Sequence, residues 1–190
     1  MPRPVFTACD LQLTLSNHHV THGRVVLLHS SLLHVGTLKD VIVSETPSLV
    51  IQIIYEALAP DGTLVVLAPN YDYADRQKIF DTRNASVSHL VGAINSTLAN
   101  RDDAERSANP IFSVAAIGGQ ADLICNQSNA TAFSSNSAWD FIAKLKARIL
   151  MLGSDLAQFT MIRYIESQVE VPYLYHKSFS TPVLRNGRPI

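Results

Sequence analysis

Apolar residues are arranged along the chain in two alternating ways. Apolar runs of strand length occur at residues 25–28 and 149–152, and predominantly apolar ones, with one Thr or Ser each, at residues 63–68 and 112–117. Between the runs, apolar residues recur every three or four positions, and this spacing predicts helices over residues 7–17, 46–58, 87–98, 138–147 and 160–168. Buried strands that alternate with helices predict an α/β layered domain.

Local signals refine the ends of two helices. Thr46, followed by Pro47, is predicted to be the N-cap of one helix, with proline at its first helical position. The turn-forming residues Pro60 and Gly62 close that helix, and Ser137 is the predicted N-cap of a later one.

Composition limits the classes of protein that fit. With 190 residues, the chain is long enough for one domain, taken here as residues 1–190. The 47% of apolar and 16% of charged residues are typical of a globular protein, and a net charge of −1 without a basic stripe argues against nucleic acid or a membrane as partner. Two cysteines, Cys9 and Cys125, make no disulfide framework, which favours the reducing cytoplasm.

The common catalytic signatures are missing from the sequence. It contains no glycine-rich dinucleotide or phosphate loop and no Gly-x-Ser-x-Gly elbow. His18, His19 and His22 lie close together, but no acidic or cysteine residue accompanies them at the spacing of metal ligands. We therefore predict no metal site.

Several short segments, none decisive alone, occur in a recognisable order. They are His29-Ser30-Ser31-Leu32, Pro69-Asn70-Tyr71-Asp72-Tyr73, Arg106-Ser107-Ala108-Asn109-Pro110, Ile149-Leu150-Met151-Leu152-Gly153, and Thr160-x-x-Arg163-x-x-Glu166. In this order they make the chain resemble the aminoglycoside 3-N-acetyltransferase family, over roughly residues 7–190.

The resemblance implies transfer of an acetyl group from acetyl-CoA, as co-substrate, to a primary amine. It implies the family's own α/β/α fold with a central mixed sheet, which differs from the GCN5-like acetyltransferases. The acceptor would be a small-molecule amine such as an amino sugar or an aminoglycoside, and the oligomeric state is left open between monomer and homodimer. Family members usually continue beyond the position of residue 190, so we expect a shortened member or a fragment of a longer protein.

The resemblance also assigns residues to the cofactor. The predicted contacts are His29, Ser30, Ser31, Leu32, Arg106, Ser107 and Thr160. Small polar residues directly after a strand leave backbone N–H groups open to phosphate and pantetheine. Without the family pattern, the first segment is better explained as a serine-capped turn, and Arg106 as a solvated charge.

The predicted catalytic triplet is Thr160, Arg163 and Glu166, which helical spacing places along one face. The family pattern has histidine at the position of Arg163, where it activates the amine with help from the glutamate. Arginine stays protonated at biological pH and cannot accept that proton.

Four interpretations of Arg163 stay open. The protein is an impaired enzyme that still binds CoA, or another group (Glu166, His29 or His176) supplies the base. Alternatively, Arg163 pairs with Glu166 and recognises an anionic group on the substrate, or the two form only a surface ion pair.

The acceptor side is the less defined half of the site. Asp72, Asp75 and Asp81 are candidates for binding a polycationic aminoglycoside, but the sequence has no concentrated acidic run. A biosynthetic amine is therefore favoured over an antibiotic, and a non-catalytic CoA-binding or interaction protein on the same scaffold is the alternative function.

Overall fold

The computed structural model describes residues 4–74, 78–127, 131–169 and 171–190. Its main sheet has five strands in the order β6-β7-β4-β2-β8. They are β2 (Val25–Ser30), β4 (Thr63–Leu67), β6 (Glu105–Arg106), β7 (Val114–Gly118) and β8 (Arg148–Leu152). Strand β2 runs parallel to β4 and β8, whereas β7 runs antiparallel to β4 and β6, so the predicted central mixed sheet is confirmed.

Two small sheets lie outside the main one. Strand β1 (Val5–Phe6) pairs with β3 (Thr37–Leu38), and β9 (Val183–Arg185) pairs with both β5 (Phe80–Asp81) and β10 (Arg188–Pro189). The sequence did not predict these pairings, because strands of two or three residues are too short to show an alternating pattern.

Helices cover both faces of the main sheet. The α-helices are α1 (Ala8–Asn17), α2 (Leu32–Val35), α3 (Thr46–Leu58), α4 (Ala93–Ala99), α5 (Ala121–Cys125), α6 (Ala138–Lys144) and α7 (Met161–Gln168). Helices α1, α3 and α4 contribute to one hydrophobic cluster, and α5, α6 and α7 contribute to another. The predicted α/β/α layering is therefore present.

Strand β2, which pairs with β4 on one side and β8 on the other, separates the two clusters. Val26 and Leu28 belong to the first cluster, and Val25 and Leu27 to the second. Because successive side chains of a strand point to opposite faces, a strand covered on both sides must be apolar at every position. This explains the apolar runs of β2, β4 and β7, whereas the edge strand β8 has an apolar run although its residues are exposed or half-buried.

Helix boundaries differ from the prediction in α3 and in the segment that contains α4. Glu45 occupies the N-cap position of α3, and Thr46 is already helical, with its hydroxyl 3.4 Å from the Ile42 carbonyl. The predicted helix over residues 87–98 is divided at Gly92, whose φ of 84° ends a 3-10 helix before α4 begins.

Helix α6 shows one confirmed end and one wrong end. Ser137 caps it as predicted, since its hydroxyl accepts a hydrogen bond from the Asp140 N–H at 3.2 Å. The helix ends at Lys144, before the predicted residue 147, because Lys146 takes a left-handed conformation with φ of 53°. Within the part of the chain that is described, no helix has both the length and the apolar character needed to cross a membrane.

Candidate active site

The carboxyl ends of the parallel strands β2, β4 and β8 lie at one edge of the main sheet. Ser30 ends β2 opposite Leu152, which ends β8, and Leu67 ends the neighbouring β4. In open α/β sheets, ligands bind in the crevice outside this edge. The fold therefore brings the predicted cofactor segment to the position where a ligand site is expected.

Successive residues at the end of β2 face opposite layers. His29 points to the layer of α6 and α7, where its ring meets the edge of Phe159 with 6.4 Å between ring centroids. Ser30 points to the other layer, and its hydroxyl donates to Oδ1 of Asn95 on α4 at 3.4 Å. The segment thus contacts both helical layers.

Ser31 and Leu32 begin the turn after β2. Ser31 takes the N-cap position of α2, but its side chain makes no capping hydrogen bond. Its N–H donates to the Leu152 carbonyl at 2.9 Å, so this group extends the pairing with β8 and is not open to phosphate as predicted. Leu32 packs against the first hydrophobic cluster.

Gly153, directly after β8, packs closely against the turn that follows β2. Its φ is 68°, and a Cβ there would lie 2.7 Å from the Ser31 carbonyl oxygen and 2.9 Å from the Val35 nitrogen. Nδ1 of His34 lies 3.1 Å from the Gly153 carbonyl oxygen. The position requires glycine both for its conformation and for its space.

His29 is a buried histidine with an unusual environment. The residue is 2% exposed, and Nε2 has no hydrogen-bond partner among the residues described. Burial lowers the pKa of His29 to about 4, so the ring is uncharged at neutral pH. An imidazole with this pKa is a weak base, which argues against His29 as a replacement for the missing catalytic histidine.

Arg106 lies inside the protein rather than at the surface of a cleft. Its guanidinium donates to the carbonyls of Ala68, Ala85 and Ser86 and to the Ser113 hydroxyl, and it lies 5.0 Å from the centre of the Phe80 ring. Burial lowers the pKa of Arg106 to about 10, which leaves the group charged at neutral pH. These contacts give Arg106 a structural role and leave it poorly placed for a phosphate.

Ser107 is equally enclosed. It is 3% exposed, its hydroxyl accepts from the Val114 N–H at 2.9 Å, and its carbonyl accepts from the Ser113 hydroxyl at 3.2 Å. We therefore revise the prediction for this pair: Arg106 and Ser107 join β6, β7 and the ends of β4 and do not offer free groups to a cofactor.

The predicted ion pair on α7 is present. Arg163 Nη1 donates to Glu166 Oε2 at 2.9 Å, and the side chains are 54% and 13% exposed, respectively. The Tyr173 hydroxyl donates to the other carboxylate oxygen, Oε1, at 3.1 Å, and this hydrogen bond raises the pKa of Tyr173. Both oxygens of Glu166 therefore already accept a hydrogen bond.

Thr160 and His176 are the remaining predicted residues near the proposed base. Thr160 occupies the N-cap position of α7, where its hydroxyl lies 3.4 Å from the Gln158 carbonyl and makes no capping bond. His176 is exposed. No group of three metal-ligating side chains was found in the described ranges.

An open groove of about 340 Å³ lies beside the end of β4. It is lined by Asn70, Tyr71, Asp72, Ser86, Val87, Ser88, His89 and Leu90. Asp72 is thus in the groove, whereas Asp81 accepts from the backbone N–H groups of Arg83 and Gly187 and has a structural role. Asp75 lies outside the described residues.

Sequence reasoning missed two residues of the site. Asn95 was counted within an apolar helix, although a polar residue between Ile94 and Leu98, both buried, is a signal that could have been used. Tyr173 follows α7 after a change of direction that no sequence pattern specified.

Comparison with known proteins agrees with this fold. The family model described as aminoglycoside 3-N-acetyltransferase matches residues 27–190. The chain therefore belongs to this family, and the resemblance inferred from its ordered segments is confirmed.

Two individual relatives share less than a third of their aligned residues with this chain. Aminoglycoside N(3)-acetyltransferase III of Pseudomonas aeruginosa is 26% identical over 184 residues, which cover 88% of this chain and 66% of the relative. Aminoglycoside N(3)-acetyltransferase IV of Salmonella sp. is 32% identical over 160 residues, covering 84% and 58%. The chain thus spans less than two thirds of these relatives.

Solved structures give the same result. The apoenzyme of aminoglycoside acetyltransferase AAC(3)-IVa superposes with a TM-score of 0.78 at 29% identity, over 90% of this chain and 64% of that one. The acetyltransferase AAC-VIa bound to sisomicin has a TM-score of 0.78 at 26% identity, over 100% and 74%.

Proposed function

We propose that the protein is an N-acetyltransferase that moves the acetyl group of acetyl-CoA to a primary amine of an amino sugar, an aminoglycoside or a related small molecule. The observation that carries this proposal is the family match over residues 27–190, which includes both the end of β2 and the α7 triplet. The relatives are named for the same reaction, and AAC-VIa was solved with sisomicin.

The proposed donor site lies at the carboxyl edge of the main sheet. His29, Ser30 and Ser31 are the proposed cofactor contacts, with Leu32 as part of their support. Thr160, the N-cap residue of α7, directly follows Phe159, whose ring packs edge-on with the His29 ring, so the proposed donor segment lies beside the α7 triplet. Arg106 and Ser107 contribute by fixing the neighbouring strand ends.

The proposed reaction requires a general base near α7. An amine attacks the thioester carbonyl as a neutral nucleophile, the C–N bond forms as the C–S bond breaks, and the amine proton must pass to a base while the thiolate gains a proton. Glu166 is the carboxylate closest to this role, but its oxygens accept from Arg163 and Tyr173. We therefore propose slow turnover, with Arg163 limiting the base.

One observation favours a second candidate function, a CoA-binding protein without turnover. Arg163 occupies the position of the family histidine and forms an ion pair with the glutamate that should assist it. In this second candidate function, the protein retains the site for CoA but lacks the general base.

We further propose that residues 1–190 form a single domain, because the main sheet takes its strands from residues 25 to 152 and helices from both ends of the chain pack on it.

Thiol release from acetyl-CoA, measured with a panel of amino sugars and aminoglycosides, tests the two functions. We expect slow release from the unaltered protein and an increase of about 10²–10⁴-fold in Arg163→His, since a positioned base contributes a factor of this size. Arg163→Lys is the control, because lysine keeps the positive charge and gains no base.

The outcomes separate the candidates. Release by the unaltered protein contradicts the non-catalytic function, and release only after Arg163→His supports it. If neither protein releases thiol and CoA does not raise the melting temperature, both candidate functions are wrong.

A further inference from the structure

Asn95 is a polar residue in the buried part of α4. The residue is 2% exposed, and its neighbours Ile94 and Leu98 belong to the first hydrophobic cluster. A buried amide is costly unless its donors and acceptors are used. Two hydrogen bonds of the Asn95 amide offset the cost of burying it.

These contacts join the ends of two strands. Nδ2 of Asn95 donates to the Leu67 carbonyl at the end of β4, at 2.8 Å. Oδ1 accepts from the Ser30 hydroxyl at the end of β2, at 3.4 Å. The side chain thus lies between β4 and the proposed donor segment.

The donor and the acceptor of each hydrogen bond in this chain follow from the chemistry of the groups. A backbone carbonyl can only accept, so the amide nitrogen must face Leu67 and the amide oxygen must face Ser30. The Ser30 hydroxyl has one hydrogen, and it is directed to Asn95. What Ser30 offers to a ligand is consequently its oxygen lone pairs.

An acceptor-only hydroxyl selects among the parts of CoA. Phosphate oxygens at neutral pH are themselves acceptors and gain nothing from it. The pantetheine arm carries amide N–H groups, which need an acceptor when they leave water. Ser30 therefore matches pantetheine and not the pyrophosphate.

We propose that Asn95 is a positioning residue, which orients the Ser30 hydroxyl to accept a hydrogen bond from a pantetheine amide N–H of the bound thioester. This inference rests on the proposed function, because it requires CoA at the carboxyl edge of the sheet. It assigns the chemistry of the cofactor contact and adds a residue from outside the donor segment.

Calorimetric titration of the full chain with CoA tests the inference, with ADP as a ligand that lacks pantetheine. We expect Ser30→Ala and Asn95→Leu each to weaken CoA binding about three- to tenfold, the usual effect of one hydrogen bond. The double variant should bind no more weakly than the weaker single variant, because both changes remove the same interaction. Binding of ADP should stay unchanged in all of them.

Two further variants separate positioning from folding. Asn95→Asp keeps an oxygen acceptor for Ser30 but loses the donor to the Leu67 carbonyl, so it should lower the melting temperature and yet weaken CoA binding less than Ser30→Ala does. Asn100→Ala is the matched control, at the exposed end of the same helix. If Asn95→Leu does not fold, Ser30→Ala and Asn95→Asp still decide the question.

Different failures have different meanings. Additive losses in the double variant, or equal losses for CoA and ADP, overturn the assignment of Ser30 to pantetheine. Unchanged CoA binding in Ser30→Ala also overturns it. Absence of CoA binding by the unaltered protein contradicts the proposed donor site itself.

Discussion

The two sides of the candidate site are built differently. On the strand side, contacts join residues distant in sequence: Asn95 to Leu67 and Ser30, and Arg106 to the carbonyls after β4. On the α7 side, the pair of Arg163 and Glu166 is local and half exposed. A change on the strand side must disturb several elements, whereas a change on α7 disturbs one helix face.

This difference explains how the site can depart from its family at α7 while the fold is kept. An arginine replaces the expected histidine at a position where the side chain is 54% exposed and solvent accommodates the larger group. Replacing the buried Arg106 by a side chain without donors would instead leave several carbonyls unpaired. We therefore expect stability to depend mainly on the strand side, and the proposed catalysis on α7.

The largest expected effect is the loss of the buried guanidinium. Arg106→Met removes the donors to Ala68, Ala85 and Ser86 but keeps an apolar side chain of similar length. We expect the free energy of unfolding to fall by about 3 kcal/mol or more, because buried acceptors lose their partners. Urea denaturation measures this change.

The control for this prediction is Arg101→Met, which breaks only an exposed pair with Asp103 and should cost no more than about 0.5 kcal/mol. If Arg106→Met were nearly as stable as the unaltered protein but failed to bind CoA, Arg106 would be a cofactor contact as the sequence first indicated.

A second change acts where the two sides meet. Gly153→Ala places a Cβ against the Ser31 carbonyl and the backbone of α2, in a left-handed conformation. We expect a loss of about 2–3 kcal/mol in thermal or urea unfolding, from backbone strain together with the displaced turn.

Gly187→Ala is the matched control, since Gly187 has a similar φ of 78° but open space around it. It should lose only about 1 kcal/mol, the part due to conformation. Equal losses in the two variants would mean that the close approach of Gly153 to α2 has no energetic weight.

The third prediction concerns pH. The pKa of His29 is about 4 in the folded protein and near 6.5 when exposed, so the unfolded chain binds more protons between these values. The stabilising effect of the neutral ring is complete above pH ~6.5 and is lost as pH falls towards 4. At pH 5 the loss is about 2 kcal/mol relative to pH 7.5.

His29→Gln removes this proton linkage, so its unfolding free energy should vary less between pH 7.5 and pH 5 than that of the unaltered protein. His176→Gln, at an exposed position, should keep the full pH dependence. An unchanged pH dependence in His29→Gln would show that another group is responsible.

The sequence predicted the parts of the fold that follow from local pattern. Strands covered on both faces are apolar at nearly every position, so β2, β4 and β7 were found. The edge strand β8 was found from its apolar run although it is only partly covered, and Ser137 was recognised as a cap. The order of the strands depends on pairings between residues far apart, and no periodicity records them.

The features of the site that the sequence did not predict also depend on contacts between residues far apart in the chain. The proximity of Arg163 and Glu166 follows from helical spacing and was predicted. The burial of Arg106 depends on where the carbonyls of Ala68 and Ala85 meet it, which is a tertiary property. A charged residue next to a serine looks the same in sequence whether it faces a phosphate or the protein interior.

The smallest expected effect completes the contrast between the two sides. Arg163→Ala breaks an i,i+3 pair whose arginine is 54% exposed, and Glu166 keeps the hydrogen bond from Tyr173, so the unfolding free energy should change by no more than about 0.5 kcal/mol. Lys144→Ala breaks an i,i+4 pair with Asp140 and also removes the hydrogen bond to Oδ1 of Asn136, so it should cost more, about 1 kcal/mol. Urea denaturation of both variants under the same conditions makes the comparison. A loss above about 1.5 kcal/mol in Arg163→Ala would mean that the arginine supports the packing of α7, and the separation of stability from catalysis argued above would then be wrong.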